Sequence, residues 1–151
     1  MQTRREILKS SGIVAAMLLG AGLLPGAAKA YQKNAFEAKS MEEVFKALGL
    51  PMPKESTEVT LTAPDIAENG AVVPMTIASS LSGVKKMLLL VEKNPSPLIA
   101  QFMVNAAVDI QYQTRAKMGE SCDVYAVAVM EDGKTLFAKK EVKVTLGGCG
   151  G

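Results

Sequence analysis

The 151-residue sequence contains no histidine and no tryptophan, and it has only two cysteines. Without histidine the chain lacks the usual general base near neutral pH and the commonest metal ligand. Two cysteines cannot by themselves complete a four-ligand zinc site, and they are too few for a disulfide scaffold. No phosphate-binding loop, dinucleotide fingerprint or nucleophile elbow occurs. Aromatic residues make up 5% of the chain. No apolar run reaches the roughly 18 residues of a membrane-spanning helix. No metal and no cofactor are therefore expected. The acidic pairs Glu42-Glu43 and Glu131-Asp132 read as solvated charges, and the nine methionines as core filler.

What is present begins with a segment that does not belong to the fold. Residues 1–30 contain Thr3-Arg4-Arg5-Glu6-Ile7-Leu8-Lys9, then an apolar stretch from Ile13 to Leu24, then Ala28-Lys29-Ala30. This is a charged region, a short hydrophobic region and a small-x-small cleavage site. The paired arginines with their neighbours resemble a twin-arginine export signal. An ordinary secretory signal with two chance arginines is the alternative. Beyond residue 30 the chain carries 13 basic and 14 acidic residues. That near-neutral balance makes no electrostatic case for nucleic acid, and no membrane association is expected after signal removal. Export places the protein in the periplasm, an oxidising compartment.

Residues 31–146 read as one domain. Met41, Val44, Phe45 and Leu48 give the only helical period, within residues 36–48. Ser40 and Glu43 fit a capping box, and Gly49 fits the stop. One short helix on an edge or end is expected. From Thr57 the period becomes two. Val59, Leu61 and Ala63 alternate with polar residues, as do Val73, Met75 and Ile77. Pro74 suggests an edge strand. Val84 to Val91 is nearly continuous in apolar residues, as in a strand covered on both faces. Leu98 to Val104, Val108 to Gln113, Val124 to Met130 and Thr135 to Leu146 complete about seven strands. Asn69-Gly70, Asn94-Pro95-Ser96-Pro97 and Asp132-Gly133 supply turns. The pattern predicts an all-β sandwich with one short N-terminal helix. With so little helix as cover, the Val84–Val91 region is expected to leave apolar sheet surface for a second subunit.

Residues 147–151, Gly147-Gly148-Cys149-Gly150-Gly151, form a glycine-rich end carrying a thiol. Glycine has no side chain to bury and the most backbone freedom, so this segment is expected to be a flexible tail. Cysteine is usually buried, yet Cys149 stands where burial is hardest. Little bulk beside the sulfur would let it enter a narrow cleft. Nothing nearby in sequence lowers its pKa, which argues against a self-activated nucleophile. Cys149 reads as an attachment point, with Gly147, Gly148, Gly150 and Gly151 giving flexibility and access. An incidental tail cysteine or a disulfide to Cys122 are the alternatives. Cys122 itself, at the start of a strand, is either a core residue without a role or a site of intermolecular disulfide formation, to a partner subunit or a second copy.

The ending VTLGGCGG resembles that of the SoxY family, the sulfur carriers of periplasmic thiosulfate oxidation. APDIAENGAVVPMTI, VEKNPSPLIAQF, TRAKMGE and KEVKVTLGGCGG also resemble SoxY blocks. The resemblance implies an immunoglobulin-like sandwich paired with a SoxZ-like subunit as a heterodimer. It implies that sulfur intermediates are held covalently on Cys149. A SoxAX-like cytochrome would load thiosulfate as the S-thiosulfonate, and a SoxB-like hydrolase would release sulfate and leave a sulfane. The chain would then not be an enzyme. Cys122 departs from the family pattern. A thiol-based sulfur-transfer or redox protein, and a structural sandwich with an incidental tail, are the rival readings.

Overall fold

The computed structural model describes residues 33–105 and 107–146. The nine strands among the described residues all lie in the unit that begins at residue 34. Two helices, α1 (Lys33–Glu37) and α2 (Met41–Leu48), precede the strands. The strands are β1 (Lys54–Glu55), β2 (Val59–Thr62), β3 (Ile66–Ala67), β4 (Val73–Ser79), β5 (Val84–Val91), β6 (Leu98–Met103), β7 (Gln111–Ala116), β8 (Cys122–Met130) and β9 (Thr135–Val144).

The β-sandwich is as the alternation of side chains predicts. The larger sheet has the order β1-β9-β8-β5-β6, with β3 also on β9, and the smaller has the order β2-β4-β7. The main core lies between them. Met87, Leu89 and Val91 of β5 and Val124, Ala126 and Ala128 of β8 meet Val59, Val73, Met75 and Ile77 of the smaller sheet. Phe102 of β6 stacks on Tyr112 of β7 with ring centroids 4.5 Å apart, joining the two sheets at one margin. The outer face of the smaller sheet is polar. Thr60, Thr62, Gln111, Gln113 and Arg115 are exposed there.

Three expectations need correction. The helical segment is two helices, and they pack on a sheet face. Ser40 is extended (φ −137°, ψ 163°), which interrupts the run. Its Oγ accepts the N–H of Glu43, the N-cap geometry that starts α2. The Glu43 carboxylate in turn accepts the N–H of Lys39 at 2.8 Å. Gly49, at φ 67°, ends α2 in the left-handed conformation that favours glycine.

The apolar surface left for a second subunit is the second correction. Ala35, Ala38, Val44 and Phe45 cover Leu88, Leu90, Val127 and Val129 on the outer face of the larger sheet. That cover explains the continuous apolar run of β5: alternate residues enter two different cores.

The third correction is the strand count, nine among the described residues in place of about seven. The additions, β1 and β3, are two residues each and run parallel to β9 near its two ends. Pairs this short carry no readable period, and only the fold brings them to β9. Pro74 lies in the central strand of the smaller sheet. However, β2 pairs only with Thr76–Ser79, so at Pro74 the strand has a neighbour on one side alone. β7 starts at Gln111, because Val108 and Asp109 are spent in a turn in which Val108 donates to the Asn105 carbonyl.

Candidate functional site

Cys149 and the glycines Gly147, Gly148, Gly150 and Gly151 lie outside the described residues, as does the expected signal segment 1–30. The structure describes the chain up to Leu146 and shows how the residues leading to that segment are held. β9 ends at Val144, and its last two residues together with Thr145 and Leu146 are bonded on two sides.

One side is the segment from Asp65 to Gly70. The N–H of Lys143 donates to the Asp65 carbonyl at 3.0 Å, and that of Thr145 to the Ala67 carbonyl at 3.1 Å. The Thr145 hydroxyl donates to the Glu68 carbonyl at 2.9 Å. Gly70 then donates its N–H to the Leu146 carbonyl at 2.7 Å. The Asn69 side chain shapes the turn that presents Gly70, accepting the N–H of Ala71 at 2.8 Å. The other side is the loop before β8. The Ser121 hydroxyl accepts the N–H of Val144 at 2.8 Å, and Met118 donates its N–H to the Gly70 carbonyl at 2.7 Å. Asn94 holds this loop in turn. Its amide donates to the Lys117 carbonyl at 2.7 Å, and its side-chain oxygen accepts the N–H of Gly119 at 3.3 Å.

Lys140 adds an electrostatic tie. Its ammonium donates to the Ala63 carbonyl at 2.5 Å and lies 2.9 Å from the Asp65 carboxylate. Hydrogen bonding to Lys140, then its charge, holds the Asp65 carboxyl below its ordinary value of 3.8. Residues 63–70, Asn94, residues 117–121 and residues 140–146, drawn from four separate stretches of sequence, thus meet at one end of the sandwich. Sequence reasoning singled out the stretches 63–77, 91–102, 114–120 and 140–146 but not the side chains that join them, Asn94, Ser121, Thr145 and Lys140. Asn94, Thr145 and Lys140 lie within those stretches, Asn94 also in a turn signal, and Ser121 directly follows the third.

Cys122 is the first residue of β8, opposite Val142 in register. It is a buried free thiol within the main core. Burial pushes its pKa up from the ordinary value, opposed by a hydrogen bond from the Lys93 backbone. Among the described residues, no group of three or more acidic or cysteine side chains is placed to hold a metal ion. Among them too, no helix is long and apolar enough to cross a membrane.

A family profile described as "Sulfur oxidation protein SoxY" matches residues 44–149, more than two thirds of the chain. The chain belongs to the SoxY family. Among solved structures, the sulfur carrier protein SoxY from Chlorobium limicola f thiosulfatophilum is 33% identical, with a TM-score of 0.62. That match covers 70% of this chain and 94% of the Chlorobium chain. Two superoxide reductase (neelaredoxin) structures from Ignicoccus hospitalis are 13% identical. One has a TM-score of 0.51 and covers 57% of this chain and 79% of its own. The other, of a point variant, has a TM-score of 0.50 and covers 57% and 78%. Those two likenesses concern the sandwich fold alone. Among curated proteins none matches. The family match runs through the joined end of the SoxY sandwich and extends to Cys149 itself.

Proposed function

We propose that this SoxY protein is a non-enzymatic carrier that holds sulfur intermediates covalently on Cys149 in the periplasm during thiosulfate oxidation. The observation that carries the reading is the family match, which ends on Cys149. The bonded end of β9 supports it. A carrier needs a firm body from which its thiol departs at a defined place, and Leu146 and its neighbours meet that need. The glycines on both sides keep the cross-section small enough for a cleft.

In the loading step the Cys149 thiolate and thiosulfate join through a new S–S bond to give the cysteine S-thiosulfonate. Two electrons leave to a SoxAX-like cytochrome, and the thiol proton goes to solvent. In the second step a SoxB-like hydrolase adds water across the S–S bond to the sulfonate group. Sulfate and two protons are released, and a persulfide remains on Cys149. The same sulfur visits both enzymes, so tethering raises its effective concentration at each one. The chain works as a heterodimer with a SoxZ-like subunit. Residues 1–30 direct export by the twin-arginine route.

The test is intact mass spectrometry of the exported protein and its Cys149→Ser variant. Wild type is expected to carry thiosulfonate and sulfane adducts, and the variant none, with an unchanged circular dichroism spectrum. Adducts that persist in the variant would move the carrier site elsewhere. Thiosulfate turnover by the isolated chain would favour the rival enzymatic reading.

A further inference from the structure

Six large apolar side chains are exposed among the described residues: Met52, Ile66, Val72, Met103, Val108 and Leu146. They fall at the two ends of the sandwich. Met52 follows Pro51, whose carbonyl binds Thr135 at the start of β9. Met103 ends β6, and Val108 stands in the turn that follows it. Ile66, Val72 and Leu146 belong to the other end, about 30 Å away along the ten residues of β9. Ile66 pairs with Lys143, Leu146 accepts the bond from Gly70, and Val72 closes the turn beginning at Asn69. Ile66, Val72 and Leu146 are 59%, 52% and 70% exposed at the place where the chain leaves for Cys149.

The length of that departing segment limits what can cover them. Cys149 is three residues beyond Leu146, so their Cα atoms are at most about 10 Å apart however the intervening chain runs. An enzyme whose reacting groups lie inside a cleft must therefore bring the rim of that cleft down onto this end of the sandwich. We infer that Ile66, Val72 and Leu146 form a common docking surface for the apolar cleft rims of the enzymes that act on the carried sulfur. The inference rests on the carrier reading of Cys149. Apolar contact is not directional, so one patch serves several rims. Three side chains bury far less than a stable complex needs, so each encounter is brief, as a carrier that moves on requires. One sulfur on so short a tether also makes the encounters mutually exclusive.

The test uses the heterodimer, loaded with tetrathionate. The Cys149 thiolate displaces thiosulfate from tetrathionate and keeps the S-thiosulfonate. Sulfate release by a SoxB-like hydrolase is then followed against carrier concentration. Ile66→Asp and Val72→Asp are each expected to raise the half-maximal concentration by about tenfold, with loading and maximal rate nearly unchanged. Ile66→Ser and Val72→Ser, which add no charge, are expected to shift it in the same direction. Val108→Asp, at the far end, is expected to match wild type. Unchanged concentration dependence in the Ile66 and Val72 variants overturns the docking surface and leaves Cys149 as carrier. Unchanged turnover together with loss of self-association in those variants makes the patch a contact between copies, and again the inference falls. Sulfate release from Cys149→Ser overturns the carrier reading itself.

Discussion

Gly70 donates its backbone N–H to the carbonyl of Leu146 at 2.7 Å, so a turn early in the chain holds the last described residue before the Cys149 segment. Gly70 also accepts the N–H of Met118. One buried glycine therefore joins both halves of the sandwich end. A proline there would remove the donor while its carbonyl remained. Gly70→Pro is expected to destabilise the fold by about 1 kcal/mol or more and to raise hydrogen exchange at Lys143 and Thr145 above that of the β5 amides. Uniform exchange across the chain would show that this end is not separately held.

Ser121 tests the same end through a side chain. Ser121→Ala leaves the N–H of Val144 without its 2.8 Å partner. The expected cost is about 1–2 kcal/mol, read as a lower midpoint in urea with an unchanged slope. A loss below a few tenths would mean that solvent replaces the hydroxyl.

Asp65 gives the end a pH dependence. Lys140 holds its carboxyl below the ordinary value of 3.8 in the folded chain. Its contribution is therefore fully present above that value and is lost as pH falls through the lowered one. The group is exposed, so the effect is small. Asp65→Asn is expected to be less stable than wild type at pH 6, with the difference closing as pH falls below the ordinary 3.8 and through the lowered value. A gap that widens on acidification would reverse the sign and exclude the pair as its source.

Cys122 and Cys149 are expected to differ in reactivity. Burial raises the pKa of the Cys122 thiol, leaving little thiolate at pH 8, and the core closes over it. Iodoacetamide followed by peptide mass mapping is expected to modify Cys149 first and Cys122 only on unfolding. Non-reducing electrophoresis of wild type and Cys122→Ser tests the intermolecular disulfide. A cross-linked band present in wild type and absent from the variant would establish that bond.

Leu89 sits at the centre of the core between the sheets and is fully buried. Leu89→Ala is expected to cost about 2–5 kcal/mol, measured by chemical denaturation. Cys149 loading by tetrathionate should survive under folding conditions, because Leu89 belongs to the core between the sheets and is remote in sequence from the thiol.

The alternation from Val59 to Val144 determined a β-sandwich without help from tertiary structure, because a strand that buries one face repeats every two residues. The doubly apolar run of β5 also announced cover on both sides, and the ending Gly147-Gly148-Cys149-Gly150-Gly151 singled out the thiol, since so little else can be done with a cysteine flanked by glycines. What supplied the second cover was decided by packing. Ser40, by taking an extended conformation, split one helical pattern into two helices that fit the face of the larger sheet. The two-residue strands β1 and β3 were decided by β9, whose outer edge needs partners that no local period encodes. Ser121 met Val144, Asn94 met Lys117 and Gly119, and Lys140 met Ala63 and Asp65 only through the turns that bring these segments to one end. Those contacts are between polar groups far apart in sequence, and such pairings follow from topology, which a period of two does not specify.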